Sequence, residues 1–286
     1  MFLDEYPPPV GALRLRHDRQ MPHISEEALT QLGFRFGTNG THAARTMMLA
    51  DLSTLFAATA RDADHQTVTR QIVEDNVLGK PTKKARALAA RHLTALYGCN
   101  QGNPIFRALR KLWEVDARSQ PMLAFSVAMA RDPLLGSTQG WVLSKVVGEP
   151  LARLDTEAFL ALHFPDRFSA ASLKSFAQNV NGSWTDAGYL QGYLRKCRTT
   201  PFVGPANVAL ALFLGYLEGR SGQSLFATRW VQLLGQDSEQ LELHTTAAAH
   251  RGLLVFLNAG GVKEVRFPGY LTPAEEAIRS EGIHVI

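Results

Sequence analysis

Basic side chains between residues 70 and 96 have the types and spacing that suggest a binding chemistry. From Thr82 the chain is rich in Ala, Leu, Lys and Arg, which predicts a helix. At about 100° per residue, its apolar positions fall on one face. The basic positions on the opposite side are Lys80, Lys83, Lys84 and Arg91. A basic stripe backed by a hydrophobic core suits contact with nucleic-acid phosphates, although an ordinary solvated helix face carries the same residue types.

Motifs of the common enzyme classes do not occur in the sequence. It has no Gly-rich phosphate loop ending in Lys-Ser or Lys-Thr, no His-Glu-x-x-His metal helix and no Gly-x-Ser-x-Gly nucleophile elbow. Glu74 and Asp75 are adjacent, so their carboxylates diverge by about 100° on a helix and do not suggest a shared metal. The sequence therefore predicts a non-enzymatic protein without metal or other cofactor. A divergent nuclease that uses Glu74 stays open as a third hypothesis.

Composition indicates a folded protein of the cytoplasm. The chain has 286 residues, 45% of them hydrophobic and 20% charged, which is typical of a globular protein. Its net charge of +4 is compatible with a nucleic-acid partner without requiring one. Cys99 and Cys197 have no nearby Cys partner, which favours a reduced compartment. The longest apolar run, Val208–Leu217, is shorter than the roughly 20 residues of a membrane span, so no membrane partner is expected.

Helical periodicity predicts an N-terminal bundle. Residues 1–40, with three consecutive prolines at 7–9, are predicted to form an N-terminal arm. Residues 41–150 hold about six predicted helices without a convincing strand, which indicates a helical bundle. The first of these helices is expected at Thr41–Thr59. A later one, at Asn103–Val115, is expected to turn its basic residues outward. These basic residues are Arg107, Arg110 and Lys111.

Residues 151–200 are predicted to form a helix-turn-helix-like unit. Thr156–Leu162 and Ser169–Val180 have the pattern of two helices, and a turn-rich segment that could form a wing follows Trp184. Lys174 and Gln178 on the second helix are candidate nucleic-acid contacts. Further candidate readers are Ser172, Ser175 and Asn179. Any exposed helix shows similar polar residues, so a structural role stays open for them.

Residues 201–286 are predicted to form a winged-helix-like C-terminal unit. Three helices precede a hairpin whose strands are expected at Leu253–Leu257 and Val262–Phe267. If this unit binds DNA, Lys263 and Arg266 on the hairpin would lie near the duplex. Thr245, Thr246 and His250 would lie on the third helix. Acidic residues nearby oppose phosphate binding, which favours protein docking or a structural role. They are Glu239, Glu242 and Glu264. The predicted fold class is mostly α, a helical bundle with winged-helix-like C-terminal units and a short β-hairpin.

Three stretches of the chain resemble the BrxA family of BREX-type phage-defence systems. The first is Glu-Asp-Asn-Val-Leu-Gly-Lys at residues 74–80, followed by Thr-Lys-Lys-Ala-Arg at 82–86 and Arg-His-Leu at 91–93. The second runs from 121–125 to 130–135, and the third from 168–174 through Trp184 to 188–190. The resemblance covers roughly residues 41–198. It implies a mostly helical, non-enzymatic accessory factor with which DNA binding is associated.

The sequence thus leads to two functional hypotheses. The first is a non-catalytic, DNA-binding accessory or assembly subunit of a BREX-type defence system, with double-stranded DNA and other subunits of that system as partners. Its expected contacts are Lys80, Lys83, Lys84, Arg91, Lys174, Gln178, Lys263 and Arg266. The alternative is a protein–protein scaffold of the same system without direct DNA binding.

Overall fold

The chain folds mainly into α-helices, as the sequence predicts. The computed structural model describes residues 23–193 and 195–284. Within these ranges no helix is long and apolar enough to cross a membrane. The helices are α1 (Glu26–Gln31), α2 (Leu49–Ala58), α3 (His65–Val73), α4 (Lys83–Tyr97), α5 (Pro104–Trp113), α6 (Gln120–Arg131), α7 (Pro133–Gly136), α8 (Gln139–Leu143), α9 (Arg153–His163), α10 (Ala170–Asp186), α11 (Pro205–Leu217), α12 (Arg229–Leu234), α13 (Ser238–His250) and α14 (Pro273–Glu281). Most of the N-terminal arm predicted at 1–40 lies outside the described residues.

Small antiparallel sheets lie between the helices. The strands are β1 (His23–Ile24), β2 (Pro150–Leu151), β3 (Leu190–Gln191), β4 (Lys196–Arg198), β5 (Val255–Ala259), β6 (Val262–Arg266) and β7 (Ile283–His284). β1 pairs with β7, and β4 lies between β2 and β3. β5 and β6 form the predicted hairpin, with Ala259 opposite Val262, but β5 begins and ends two residues later than the expected Leu253–Leu257. Gly260 and Gly261 at its tip both have positive φ, 59° and 85°, the conformation of a two-residue turn that matches strand twist.

Helix α6 lies at the centre of the hydrophobic core. Every residue from Met122 to Ala130 is buried, as expected for a helix that is apolar on all sides. α4, α5 and α11 pack directly against it. A single hydrophobic cluster extends from Ile24 to Tyr270 and includes residues of every predicted unit beyond residue 40. The boundaries predicted at residues 150 and 200 therefore divide segments that share one hydrophobic core. Their assignment as separate units stays a prediction.

The prediction of one long helix at Thr41–Thr59 is wrong. The chain instead forms a short 3-10 helix at Thr41–Ala43, and α2 begins only after Met48, which has a positive φ of 53°. The backbone N–H of His42 donates to Asp132 at 3.0 Å and that of Met47 donates to Ser183 at 2.8 Å. These hydrogen bonds to distant side chains replace the bonds of a continuous helix, so tertiary contacts override local helix propensity.

The outward position predicted for Arg110 on α5 is also wrong. Its side chain is buried, with 4% of its surface exposed. The guanidinium donates to the backbone carbonyls of Phe56 and Thr59 at 3.3 and 2.9 Å, and it lies 4.2 Å from the centre of the Phe56 ring. The last carbonyls of a helix lack intrahelical donors, and the end of α2 obtains its donors from Arg110.

Truncation of a residue on α6 tests the central position of this helix. Leu123 is fully buried, so Leu123→Ala should lower the free energy of unfolding by about 2–5 kcal/mol because it leaves a cavity. Leu243, 60% exposed on α13, supplies the matched control, and Leu243→Ala should cost less than about 0.5 kcal/mol. Urea unfolding followed by circular dichroism measures both, and equal losses would contradict this description of the core.

Candidate nucleic-acid interface

Helix α4 presents part of the predicted basic stripe to solvent. The Thr82 hydroxyl caps the helix by accepting from the backbone N–H of Ala85 at 3.1 Å. The apolar face, with Leu93 and Leu96, is buried against α3 and α6. Lys84 and Arg91 are exposed, and no described carboxylate lies within ion-pair distance of either. They are separated by about two helical turns, so both charges point from the same side of α4.

Two other lysines of the predicted stripe are paired with carboxylates. Lys80 is half-buried, and its Nζ lies 2.7 Å from an Asp51 carboxylate oxygen. Lys83 is exposed and lies 3.8 Å from Glu74. The ion pair therefore connects the turn before α4 to α2, and the Asp51 carboxylate balances the charge of Lys80. Exposed pairs such as Lys83–Glu74 contribute little energy, so Lys83 stays accessible but is partly balanced.

Arg45 extends the exposed charge of α4 toward α10. It follows the 3-10 helix Thr41–Ala43, which packs against both α4 and α10. Burial, together with the charges of Arg91 and Arg45, lowers the pKa of His92. Arg45 and Arg91 are thus close enough to act on one imidazole. We refer to Arg45, Lys84 and Arg91 as the basic face.

Helix α10 exposes Lys174 and Gln178 as predicted. Ser169 caps it by accepting from the backbone N–H of Ser172 at 3.2 Å. Phe176 and Val180 are buried, whereas Lys174 and Gln178 lie on the exposed side. Their separation of about one turn places them on one face. Asn179, a predicted reader, instead donates to the backbone carbonyl of His42 at 3.0 Å and serves packing.

Sequence reasoning did not single out the turn between β3 and β4. Tyr193 is 92% exposed, and Arg195 is exposed without an ion pair to a described carboxylate. Gly192 has a φ of 107°, and a Cβ there would lie 2.1 Å from the carbonyl oxygen of Arg195. Glycine is therefore required for this turn. The sequence pattern that could have pointed to this exposed turn is a glycine followed by an aromatic and a basic residue.

The cations of the C-terminal hairpin are neutralised by carboxylates. Lys263 lies 2.7 Å from Glu242, and Arg266 lies 2.6 Å from Glu264. Hydrogen bonds from Lys263 and Asn258 lower the pKa of Glu242, which keeps its compensating charge in place. Thr245 is buried and donates to the Leu241 carbonyl at 2.7 Å. Phosphate binding at this hairpin would therefore have to compete with existing ion pairs.

A buried Ser-His-Asp cluster was missed by sequence reasoning. His42 Nδ1 lies 2.9 Å from an Asp132 carboxylate oxygen, and His42 Nε2 lies 2.8 Å from the Ser183 hydroxyl. These residue types in this order resemble the triad of serine hydrolases. Asp132 and Ser183 follow His42 by 90 and 141 positions in the chain, so no local motif could reveal the cluster.

The contacts of Ser183 indicate that this cluster has a structural role. Its hydroxyl also accepts from the backbone N–H of Met47 at 2.8 Å and lies 3.0 Å from the Asn179 carbonyl. Ser183 and His42 have no exposed surface, and Asp132 has 1%. No side of the hydroxyl is left for a substrate. The cluster therefore joins the residue 40–47 segment to α10 and to the junction of α6 and α7.

No metal site supports the nuclease hypothesis in the part of the chain that the structure describes. It contains no group of three or more His, Cys, Asp or Glu side chains placed to hold a metal ion. Glu74 lies beside Lys83 instead. Cys99 is buried, and burial raises the pKa of its thiol to about 12, so it is not activated as a nucleophile.

The charge on Asp132 should make the fold sensitive to acid. Burial opposes this charge, but His42 and backbone N–H donors outweigh it, and the pKa of Asp132 lies below its usual value. The resulting stability is complete above the unfolded-state pKa of about 3.9 and is lost as the pH falls through the lower folded-state pKa. Asp132→Asn should therefore cost about 3 kcal/mol at neutral pH, and less in acid.

Urea unfolding of both forms across this pH range measures the difference. Asp237→Asn is the matched control, because Asp237 is an exposed cap of α13 and Asn caps helices equally well. A constant difference between wild type and Asp132→Asn at all pH values would show that the carboxylate charge is not what stabilises this junction.

Comparison with known proteins adds no assignment. No model of a protein family matches the chain, and no curated protein matches it either.

Proposed function

We propose that this protein is a non-catalytic, DNA-binding accessory or assembly subunit of a BREX-type phage-defence system. The resemblance of residues 41–198 to the BrxA family supports the choice of system. DNA binding is supported by the arrangement around α10, where an exposed polar helix face is flanked by a small sheet. The partners in this proposal are double-stranded DNA and other subunits of the same system.

The order of elements from α8 to β4 is the observation that carries the proposal. It runs helix, strand, helix, helix, strand, strand, and the first strand, β2, pairs with the last, β4, so that β4 lies in the middle. Winged-helix units have this order and this pairing. In such a unit α10 is the recognition helix, whose N-terminal part enters the major groove. The turn with Tyr193 and Arg195 is then the wing.

Charge and exposure assign roles within this interface. Lys174 and Arg195 would contact phosphates on either side of the groove, while Gln178 would reach base edges. The basic face of Arg45, Lys84 and Arg91 would extend the phosphate contacts along adjacent DNA. Each phosphate neutralised by such a side chain releases counterions, so binding should weaken steeply with salt.

A charge reversal on α10 tests DNA binding. Lys174→Glu should raise the Kd for a short duplex about tenfold and reduce the salt slope by about 1, because one phosphate contact is lost. Arg266→Glu is the matched control, because Arg266 is also exposed but already paired with Glu264; it should leave affinity nearly unchanged. Fluorescence anisotropy at several salt concentrations measures both. Equal effects of the two variants, or salt-independent binding, would contradict the proposal.

A scaffold role is the second candidate, and the outer face of the C-terminal hairpin favours it. Val255, Leu257 and Val262 are exposed, and the pairing of β5 with β6 places them on one side of the hairpin. The opposite side packs inward through Phe256 and Val265. The order of α11, α12, α13 and the hairpin is also compatible with a winged-helix unit, a type that includes protein-docking modules. Exposed apolar side chains in one patch are typical of interaction sites.

Substitution in the hairpin tests the scaffold role. Leu257→Lys should abolish co-elution with the other subunits of the defence system in size-exclusion chromatography of the co-expressed proteins, because docking would strip water from an ammonium group in place of burying an apolar side chain. Val146→Lys, at a 71% exposed position outside the hairpin, should leave co-elution intact. Retention of the complex by Leu257→Lys would rule out this face as the docking surface.

A further inference from the structure

A cleft beside α5 carries positive charge that the proposed DNA interface does not use. Its volume is about 460 Å³, within the ~300–1,000 Å³ typical of small-ligand sites. One wall is the connector between α2 and α3, the second is α5, and the third is the turn before α14. The charged residues in these walls are Arg61, Asp62, Arg107, Arg110 and Lys111.

Two of the arginines are held in place by the protein itself. Arg107 pairs with the Glu275 carboxylate and donates to the Tyr270 carbonyl at 3.2 Å, so its charge is balanced. Arg110 donates to backbone carbonyls of the α2 end, and no described carboxylate pairs with it. Arg110 thus contributes a positive charge, held in a fixed position, to the wall of the cleft.

Arg61 and Lys111 are free to bind a ligand. Neither has a hydrogen-bond acceptor or an ion-pair partner for its charged group among the described residues, and Lys111 Nζ lies 4.0 Å from the centre of the Tyr270 ring. Burial and the nearby Arg61 guanidinium lower the pKa of Lys111. Arg61 therefore repels both Lys111 and Arg110. Glu114 partly offsets the charge of Arg110, and Asp62 is the one carboxylate that does not already pair with a cation among the residues that line the cleft.

We propose that this cleft binds the phosphate group of a small, free phosphate ester. A phosphate dianion accepts hydrogen bonds from a guanidinium and an ammonium group at once, and its charge relieves the repulsion among the three cations. The cleft volume leaves room for a sugar or nucleoside attached to the phosphate. None of the residues that line the cleft belongs to the basic face or to α10, so binding of a small ligand there can be measured separately from DNA binding.

Titration calorimetry of the full chain with inorganic phosphate and with adenosine 5′-monophosphate tests the site. The wild-type protein should bind both. Arg61→Gln and Lys111→Met should each weaken binding about tenfold, because each removes a charge-assisted hydrogen bond. Met keeps an unbranched side chain over Tyr270, which preserves packing. Asp62→Asn should tighten binding severalfold, because it removes the competing carboxylate.

Lys84→Met is the matched control for Lys111→Met. It removes the same charge from the basic face, so it should leave phosphate binding unchanged and weaken binding to a duplex. Lys111→Met should show the reverse pattern. Failure of DNA binding would therefore leave this proposal standing, and the two results can be told apart.

Three outcomes would overturn the proposal. The first is the absence of heat with millimolar phosphate or adenosine 5′-monophosphate in the wild-type protein. The second is unchanged affinity in Arg61→Gln, Lys111→Met and Asp62→Asn when all three unfold at wild-type temperatures. The third is a loss of duplex affinity in Lys111→Met while neither free ligand binds, which would assign the cleft to DNA phosphates.

Discussion

The carboxylate of Asp132 is the group on which the arrangement of the proposed interface depends. It accepts from the backbone N–H groups of Leu134 and Leu135, and from both the backbone and the ring of His42. The first pair starts α7 directly after α6. The second holds the chain before α2 against the core, where a Cβ at Gly40 would lie 2.0 Å from the carboxylate. Through His42 and Ser183 the same network reaches α10, so one buried charge relates the central helix to the helix proposed to bind DNA.

Basic side chains have three different roles in this fold, and their surroundings decide which. Arg110 and Arg131 are buried and donate to backbone carbonyls at helix ends. Lys80 and Lys263 are paired with carboxylates that come from other elements. Lys84 and Lys174 project into solvent. A buried guanidinium replaces missing backbone donors, a paired lysine loses its long-range field, and only an exposed, unpaired cation can attract a polyanion from solution.

Two positive regions follow from this distribution, and their shapes suit different ligands. The residues of the basic face are exposed, as are Lys174 and Gln178 of α10, so they can contact an extended anion whose phosphates are spaced along a duplex. The cleft of Arg61 and Lys111 is concave and partly desolvated, so it can surround one compact anion. Charge in a desolvated site is repelled more strongly by like charge, which makes the cleft the place where a bound phosphate changes the local energy most. The apolar hairpin face adds a third surface without free cations.

Much of the fold follows from local patterns in the sequence. The apolar run of α6 determines a buried central helix, Ser169 and Thr82 determine two helix starts, and the glycines at 260–261 determine a tight hairpin turn, because each depends on side-chain periodicity or on backbone conformation within a few residues. Exposure of Lys84, Arg91, Lys174 and Gln178 also followed from periodicity. Tertiary structure alone decided the break in the Thr41–Thr59 segment, the burial of Arg110, the pairing of Lys80 and Lys263, and the meeting of His42, Asp132 and Ser183. These features depend on partners far apart in the chain, and a hydrogen bond or ion pair has no signature in the sequence until folding brings its two groups within about 3 Å.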